Sequence, residues 1–446
     1  MSKTFSIGGI HPHDHKISAN KAIELFPIPA VAYLSMSQHL GAPAEPVVQK
    51  GDYIKVGQLI GKASGFISAH VHASVSGTVK SVEPFTDHLG NKVMTVVIEV
   101  QGDEWMEEIN RSAEINATTT LSGREIIQKV ADGGVTGLGG ATFPTHVKLS
   151  PPAGKKATSL ILNGAECEPF ITSDHRIMLE HGREVLVGAM LMMRALDVQK
   201  GYIGIEENKP DAIRHLRELA KAYPGIQVLP LKKRYPQGGE KQLIEAVVKR
   251  QVPSMGLPVD VGVVVHNVAT AFSVYEAVQK NKPLIEKVVT ITGNNLKEQK
   301  NVRVRIGTPL AELVNAVGGI PDEVAKVVLG GPMMGQPVAH LEAPLLKGCS
   351  SILFLSEKET KRRPQSPCIR CAKCVEACPM GLEPYLLYKL AQSNLTDELE
   401  QNKIADCMEC GCCLYSCPAR VPLLDMIRLH RGHVLKIMRN RAAKKS

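Results

Sequence analysis

Between residues 158 and 279, short apolar runs alternate with stretches whose apolar residues return every third or fourth position. The runs at 158–162, 201–205, 226–231 and 261–265 predict strands, and the intervening 175–196, 210–222, 240–249 and 268–279 predict helices. Such alternation implies a largely parallel sheet covered by helices. Just upstream, Ser122-Gly123-Arg124-Glu125 has the form of a capping box and opens a short amphipathic helix that stops at Gly133-Gly134.

Other periodicities flank this region. From about 46 to 84, short β runs are broken by Gly and Asp, which predicts tight turns in a flattened barrel. The pattern resembles biotinyl- and lipoyl-carrier modules, but no lysine stands at Phe66-Ile67-Ser68, where the modified residue would lie, so no swinging arm is expected. Residues 288–293 and 302–307 read as paired strands followed by a helix over 309–317, a compact β-grasp-like unit. Lys361-Arg362-Arg363-Pro364 reads as a linker into a helical end. The expected division is 1–110, a barrel-sandwich-like module; 115–285, a Rossmann-like α/β domain; 286–355, a β-grasp domain; 361–430, a helical two-cluster domain; and a basic tail over 431–446.

Two cysteine runs dominate the last of these. Cys368-x2-Cys371-x2-Cys374-x3-Cys378-Pro379 is repeated as Cys407-x2-Cys410-x2-Cys413-x3-Cys417-Pro418. That spacing lets successive thiolates converge on a four-iron, four-sulfur cube, and the fourth cysteine of such a run ligates the other cube. Cys368, Cys371, Cys374 and Cys417 are therefore grouped on one 4Fe-4S cluster, and Cys407, Cys410, Cys413 and Cys378 on the other. Paired zinc sites would leave the two trailing prolines unexplained. Two cubes in tandem conduct electrons one at a time.

Of the 11 cysteines eight form the two patterns, leaving Cys167, Cys349 and Cys412, the last standing between two of the second run's ligands. A disulfide framework is not expected in a long chain without a secretory signal. Cys412 reads as a bystander beside the cluster and Cys349 as a core or loop thiol. The 446 residues contain no run of 18 apolar positions, so no spanning helix is expected and the chain is placed in the cytoplasm. The net charge is +9, and Arg428, Arg431, Lys436, Arg439, Arg441, Lys444 and Lys445 supply seven positive charges in a segment without an acid. This end reads as a solvated, partly disordered tail, with contact to anionic headgroups or an acidic partner as the sharper alternative. No groove-reading motif accompanies the charge, so nucleic acid is not an expected partner.

The glycine-rich Gly137-Leu138-Gly139-Gly140-Ala141-Thr142-Phe143-Pro144, with Lys148 after it, would let backbone N–H groups approach a phosphate. One strand later, Asn163-Gly164-Ala165-Glu166-Cys167-Glu168-Pro169 places an amide and two acids at a strand's C-terminal edge, where open α/β sheets bind ligands. Gly238-Gly239-Glu240 and His266-Asn267-Val268 open two further helices at that edge. Four such loops make a crevice suited to a flavin and a nicotinamide nucleotide. A nicotinamide delivers two electrons as hydride and a cube takes one, so a flavin is needed between them. Hydride transfer depends on stacking distance, and no catalytic acid or base is assigned. His11, His13 and His15 read as a solvated or loop-packing segment rather than a metal site. The stretch from Leu329 to Gln336 reads as a turn packed beside the β-grasp unit rather than a cofactor box, with support of the flavin pocket as the alternative.

The Gly139–Pro144 and Asn163–Pro169 stretches resemble the FMN- and NADH-binding loops of the complex I flavoprotein subunit. With the N-terminal Gly8-Gly9-Ile10-His11-Pro12, the β module, the β-grasp unit and both cysteine runs, nearly the whole chain resembles the RnfC family, the C-subunits of the Rnf electron transport complex. The resemblance implies a peripheral subunit on the cytoplasmic side of the cell membrane that oxidises NADH through FMN. It would pass electrons through its two clusters to other subunits, linked indirectly to ferredoxin and to ion translocation. By position it implies that Gly137, Gly139, Gly140, Lys148, Asn163, Gly239, Glu240 and Asn267 line the flavin. It likewise implies that Glu166 and Glu168 face the NADH ribose and nicotinamide, and that Phe143 stacks on the adenine. The complex I loop carries an arginine where Leu138 stands and a double acid where Gly239-Glu240 stands. The rival readings are a soluble flavin/iron–sulfur reductase of cobalamin-reductase build and a non-catalytic relay.

Overall fold

The computed structural model describes residues 2–443. Its centre is a parallel sheet of four strands in the order Ile226–Leu231, Gly201–Glu206, Ser159–Gly164, Val263–Asn267. All four were legible as apolar runs because a sheet covered on both faces needs no polar alternation. The chain steps outward from Ser159–Gly164 in one direction and returns to its other side with Val263–Asn267. The strand order therefore reverses between these two, and their register sets Asn163 opposite Asn267 at the C-terminal edge.

The single helix expected over 175–196 is two helices, Ser173–Glu180 and Gly182–Ala195, which meet at a non-helical His181. Gly182 lies at the break, where a Cβ would be 2.9 Å from the Leu219 side chain. Gly188 lets Gly182–Ala195 press onto Val268–Gln279, for any side chain there would overlap the Ala271 carbonyl. The expected capping box is present: Ser122 Oγ accepts from Glu125 N, and the Glu125 carboxylate accepts from Ser122 N at 2.7 Å.

The N-terminal module is a sandwich. One sheet runs Val31–Ser35, Lys92–Val100, Gly77–Thr86, Tyr53–Ile54, and the other Glu45–Pro46, Leu59–Lys62, Val71–His72. Leu34, Ile54, Ile60, Val79 and Ile98 fill the space between them. The β-grasp sheet has six strands in the order Ile23–Leu25, Lys300–Arg305, Glu286–Thr292, Ser351–Ser356, Val324–Leu329, Gln336–Pro337. Its two central strands, Glu286–Thr292 and Ser351–Ser356, run parallel, and Leu310 and Leu313 of the helix Leu310–Asn315 join the core that the sheet covers. The edge strand Ile23–Leu25 comes from near the N-terminus and was not expected.

Beyond the irregular 361–364 segment lie the helices Lys373–Glu376, Pro384–Gln392, Thr396–Gln401, Cys412–Ser416 and Leu423–Ala443. The last corrects the expected basic tail. Residues 431–443 continue a regular helix, because its cations find acids on the same unit. Arg428 and Arg431 bond Glu409 at 2.8 and 3.0 Å, and Arg441 bonds Glu400 at 2.8 Å. Lys444 and Lys445 lie outside the described residues. Among the described residues no helix is long and apolar enough to cross a membrane.

Candidate functional site

A cleft of about 1140 Å³ opens at the C-terminal edge of the central sheet. Gly137, Gly139, Gly140, Phe143, Lys148, Asn163, Glu166, Glu168, Gly239, Glu240 and Asn267 all line it. The strand register explains the meeting of the two asparagines. The Asn163 amide donates to Gly238 O (2.8 Å), and its oxygen accepts from Ala165 N (3.1 Å). Asn267 caps Val268–Gln279 by accepting from Ala269 N, and it donates to Asp174 at 2.5 Å. Lys148 reaches from its short helix to Glu240 (2.6 Å) and Val265 O (3.2 Å). Gly139 lies against Asn267, where a Cβ would be 3.1 Å from the asparagine Cβ. Gly140, at φ +128°, has open space where its Cβ would be.

The two acids have protein partners. The Glu168 carboxylate accepts from Met333 N (3.1 Å) and Met334 N (2.8 Å), and Glu166 accepts from Asp174 N (2.7 Å). The glycine-rich turn after Leu329 therefore does more than pack beside the β-grasp sheet. It enters the cleft, and a side chain at Gly331 would overlap the Glu168 carboxylate. Burial pushes the Glu168 carboxyl up to about 7, against the pull of its N–H donors. Burial also pushes the Glu166 carboxyl up and the adjacent Lys16 ammonium down.

Buried lysines hold the loops, and the sequence reading missed them. Lys16 donates to the carbonyls of Glu166 (2.8 Å), Glu168 (3.0 Å) and Ile171 (2.5 Å), so one ammonium gathers the whole acidic loop. Lys209 donates to Ala165 O at 2.7 Å. Lys287 donates to Leu138 O (3.1 Å) and Lys347 O (2.8 Å), tying the glycine-rich loop to the β-grasp unit. Burial depresses Lys287 to about 8. A lysine at the start of the apolar Val288-Val289 run was the only signal available for it.

The second cysteine run reaches the same cleft, since Cys407 and Met408 line it beside Met380 and Gln242. Immediately behind, Cys378, Cys407, Cys410 and Cys413 surround a small cavity with Leu382, Leu387, Leu424 and Ile427. Cys374 lies near Cys417, while Cys368 and Cys371 are exposed. Burial, with neighbouring Cys410 and Cys378, pushes the Cys407 thiol up to about 11. Among the described residues no three such donors converge as tightly as around a single ion. Cys412 is buried, its Sγ 3.9 Å from Tyr235 O, and Cys349 is buried beside Ser351. His15 stacks on Phe170 with ring centroids 4.7 Å apart and His11 bonds Lys233 O, while His11, His13 and His15 all stay exposed.

The residues present fit the two groups the motifs imply. His266 Nε2 and Gln242 Oε1, both on the cleft wall, are buried without a protein partner, as polar groups awaiting a ligand are. Open space over Gly140 provides room for close approach. The cysteine cavity is walled by thiols and hydrocarbon, the soft donor set that iron–sulfur clusters take.

A nucleotide cleft on an α/β sheet, sharing a wall with paired cluster motifs, defines a flavin- and iron–sulfur-type electron-transfer protein. The family matches agree along the chain. They are the RnfC barrel sandwich hybrid domain over residues 3–103, the Nuo51 FMN-binding domain over 130–276, the SLBB domain over 288–337 and the 4Fe-4S dicluster domain over 360–418. The C-subunit of the proton-translocating ferredoxin:NAD(+) oxidoreductase complex of Clostridium ljungdahlii is 46% identical over 405 residues, covering 90% of this chain and 87% of its own. The C-subunit of the Na(+)-translocating complex of Acetobacterium woodii is 42% identical over 430 residues, 96% of each chain. That of the ion-translocating oxidoreductase complex of Rhodobacter capsulatus is 43% identical over 394 residues, covering 86% of this chain and 75% of its own. The chain belongs to this family, the C-subunits of the Rnf-type ion-translocating oxidoreductase complexes.

Proposed function

We propose that this chain is the electron-input subunit of a membrane-bound Rnf-type complex. It oxidises NADH and passes electrons singly through two 4Fe-4S clusters to partner subunits, in NADH/ferredoxin electron transfer coupled to ion translocation. The observation that carries this reading is the shared wall: Cys407 lines the same cleft as Gly139, Asn163 and Lys148. FMN, when bound, supplies a centre that takes electrons in pairs and releases them one at a time.

In this reading the Gly137, Gly139 and Gly140 backbone and Lys148 hold the phosphate side of the flavin. Asn163, Gly239, Glu240 and Asn267 orient the rest. Phe143 offers a face to the adenine, and Glu166 and Glu168 shape the NADH side through the loop they brace. Cys378 joins Cys407, Cys410 and Cys413 on the inner cluster, and Cys417 joins Cys368, Cys371 and Cys374 on the outer one. The functional units in this reading are 1–110, 115–285, 286–355 and 361–430, with Ile23–Leu25 lent to the β-grasp sheet, residues 3–10 to the central sheet, and the end of the last helix beyond the division. The protein sits peripherally on the cytoplasmic face of the membrane.

The test uses the full chain, reconstituted anaerobically with iron, sulfide and FMN. Bound flavin and NADH-dependent reduction of ferricyanide are the expected results. Iron and sulfide without flavin, and no reduction by NADH, would leave a passive relay instead.

A further inference from the structure

The first residues of the chain lie between the nucleotide unit and the cluster unit. Lys3 pairs in parallel with Leu231 at the open edge of the central sheet, donating to Pro230 O (2.9 Å) and accepting from Lys232 N (2.8 Å). Phe5 is buried beneath the Arg234 guanidinium, 4.4 Å from its ring, and that guanidinium also donates to Phe5 O and Gly8 O. Ile10 and Tyr235 exchange both backbone hydrogen bonds, at 2.8 and 2.9 Å. On the other side Gly9 N donates to Ala377 O at 2.9 Å, one residue before Cys378. The same segment is thus bonded to the sheet edge and to the chain that carries a cluster cysteine.

The two glycines make this fit possible. Gly8, at φ +67°, has no room for a side chain: a Cβ would be 2.6 Å from Pro379 N and would overlap the Cys378 carbonyl. Gly9, at φ +85°, would bring a Cβ to 2.8 Å from the Phe5 ring and 2.9 Å from Tyr235 O. The conflict at Gly8 is with backbone, which cannot swing aside. Either the strap or the cluster unit has to shift to relieve it. Gly381 has a similar φ of +64° in the same unit and nothing within 4 Å.

We propose that Gly8 and Gly9 are positioning residues: residues 3–10 form a strap that sets the separation between the nucleotide cleft and the cavity of Cys378, Cys407, Cys410 and Cys413, and with it the rate at which electrons leave the flavin. The proposal rests on the electron-input reading above. The electron balance is that of the parent reaction. Each NADH gives up two electrons, the proton is released to solvent, and each electron passed on reduces a cluster by one. The strap takes up neither.

The experiment compares parent, Gly8→Ala and Gly381→Ala in the full reconstituted chain. Iron and FMN content, NADH bleaching of the flavin and ferricyanide reduction should match in all three. Cluster reduction, followed by freeze-quench EPR, should slow about tenfold in Gly8→Ala alone, because steps that depend on placement fall steeply with displacements near 1 Å. The Gly9 and Ile10 amides should exchange with deuterium faster in the same variant. Unchanged cluster-reduction rates with loosened amides would overturn the proposal, and so would amides as protected as in the parent. If Gly8→Ala fails to fold, Arg234→Met releases Phe5 and Gly8 without adding a side chain to the interface and must give the same split. Failure of the parent itself to bleach with NADH would sink the functional reading, and amide exchange would then still decide whether the strap exists.

Discussion

Tyr235 donates its hydroxyl to the carbonyl oxygen of Cys410 across 2.9 Å, joining the loop after strand Ile226–Leu231 to the second cysteine run. The ring is buried, so this is a sequestered hydrogen bond between the two halves of the electron path. Gln242 makes a parallel link from the helix Glu240–Val248 by donating to Pro379 O at 2.9 Å. The two cysteine runs are thus each tied to the nucleotide unit by a neutral side chain that donates to a backbone carbonyl.

Tyr235→Phe keeps the ring and removes the donor, leaving the Cys410 carbonyl buried and unpaired. The expected cost is about 1–3 kcal/mol. It should appear as a lower midpoint for the loss of cluster absorbance on heating, with flavin content unchanged. A midpoint equal to that of the parent would show that solvent replaces the bond.

Cys378 sits with Cys407, Cys410 and Cys413 around one cavity, although the sequence places it in the first run. Cys378→Ala should therefore remove the cluster nearest the cleft and halve the iron content. NADH-dependent reduction of ferricyanide, which draws electrons at the flavin, should persist. Iron analysis with EPR of the reduced protein reads the outcome. Loss of the cluster of Cys368, Cys371 and Cys374 alone would refute the grouping.

Lys16 gathers three carbonyls of the acidic loop, and no neutral side chain of its length can replace those bonds. Lys16→Met should leave the loop unbraced, at about 1–3 kcal/mol for each carbonyl that water does not reach. If the loop's acids face NADH as proposed, the KM for NADH should rise while retained FMN stays constant, because Lys287 and Asn267 hold the glycine-rich loop and the helix Val268–Gln279 separately. An unchanged KM would mean that the loop keeps its shape without the lysine.

The strands of the central sheet and the placing of Asn163 and Asn267 at one edge were open to sequence reading because each depends on a local apolar run and its end, whereas their pairing rests on a strand order no run records. Other features were closed to it. Ile23–Leu25 pairs with Asn301–Arg303, far along the chain, and nothing in three residues signals a distant partner. Lys287 stands just before the apolar run that reads as a strand, yet its ammonium serves two buried carbonyls of loops that fold around it. The basic end looked unpaired because Glu409 lies in the second cysteine loop and Glu400 and Asp397 on another helix of the cluster unit. Periodicity records which face of an element is apolar, and it is silent on charges neutralised across the fold.

Glu286 offers a last test, on stability. Its carboxylate meets Arg303 Nε (2.7 Å), Lys282 Nζ (2.7 Å) and Arg305 Nε (3.1 Å) on the β-grasp sheet. Burial alone would raise its pKa, but the charges of Arg303, Lys282 and Arg305 outweigh burial and hold it at about 2. A folded value below the unfolded one means that the ionised form favours the native state. The contribution is therefore full above the ordinary carboxylate value and is lost as pH falls from there towards about 2, for a total of about 3 kcal/mol. Glu286→Gln should lower the thermal midpoint at about pH 6, where three cations lose their shared anion. As pH falls the gap between variant and parent should narrow, and it should close only below about pH 2, where the parent's carboxylate is protonated in the folded state as well. A gap that stays constant between those pH values would show that the loss comes from packing around the side chain and not from its charge.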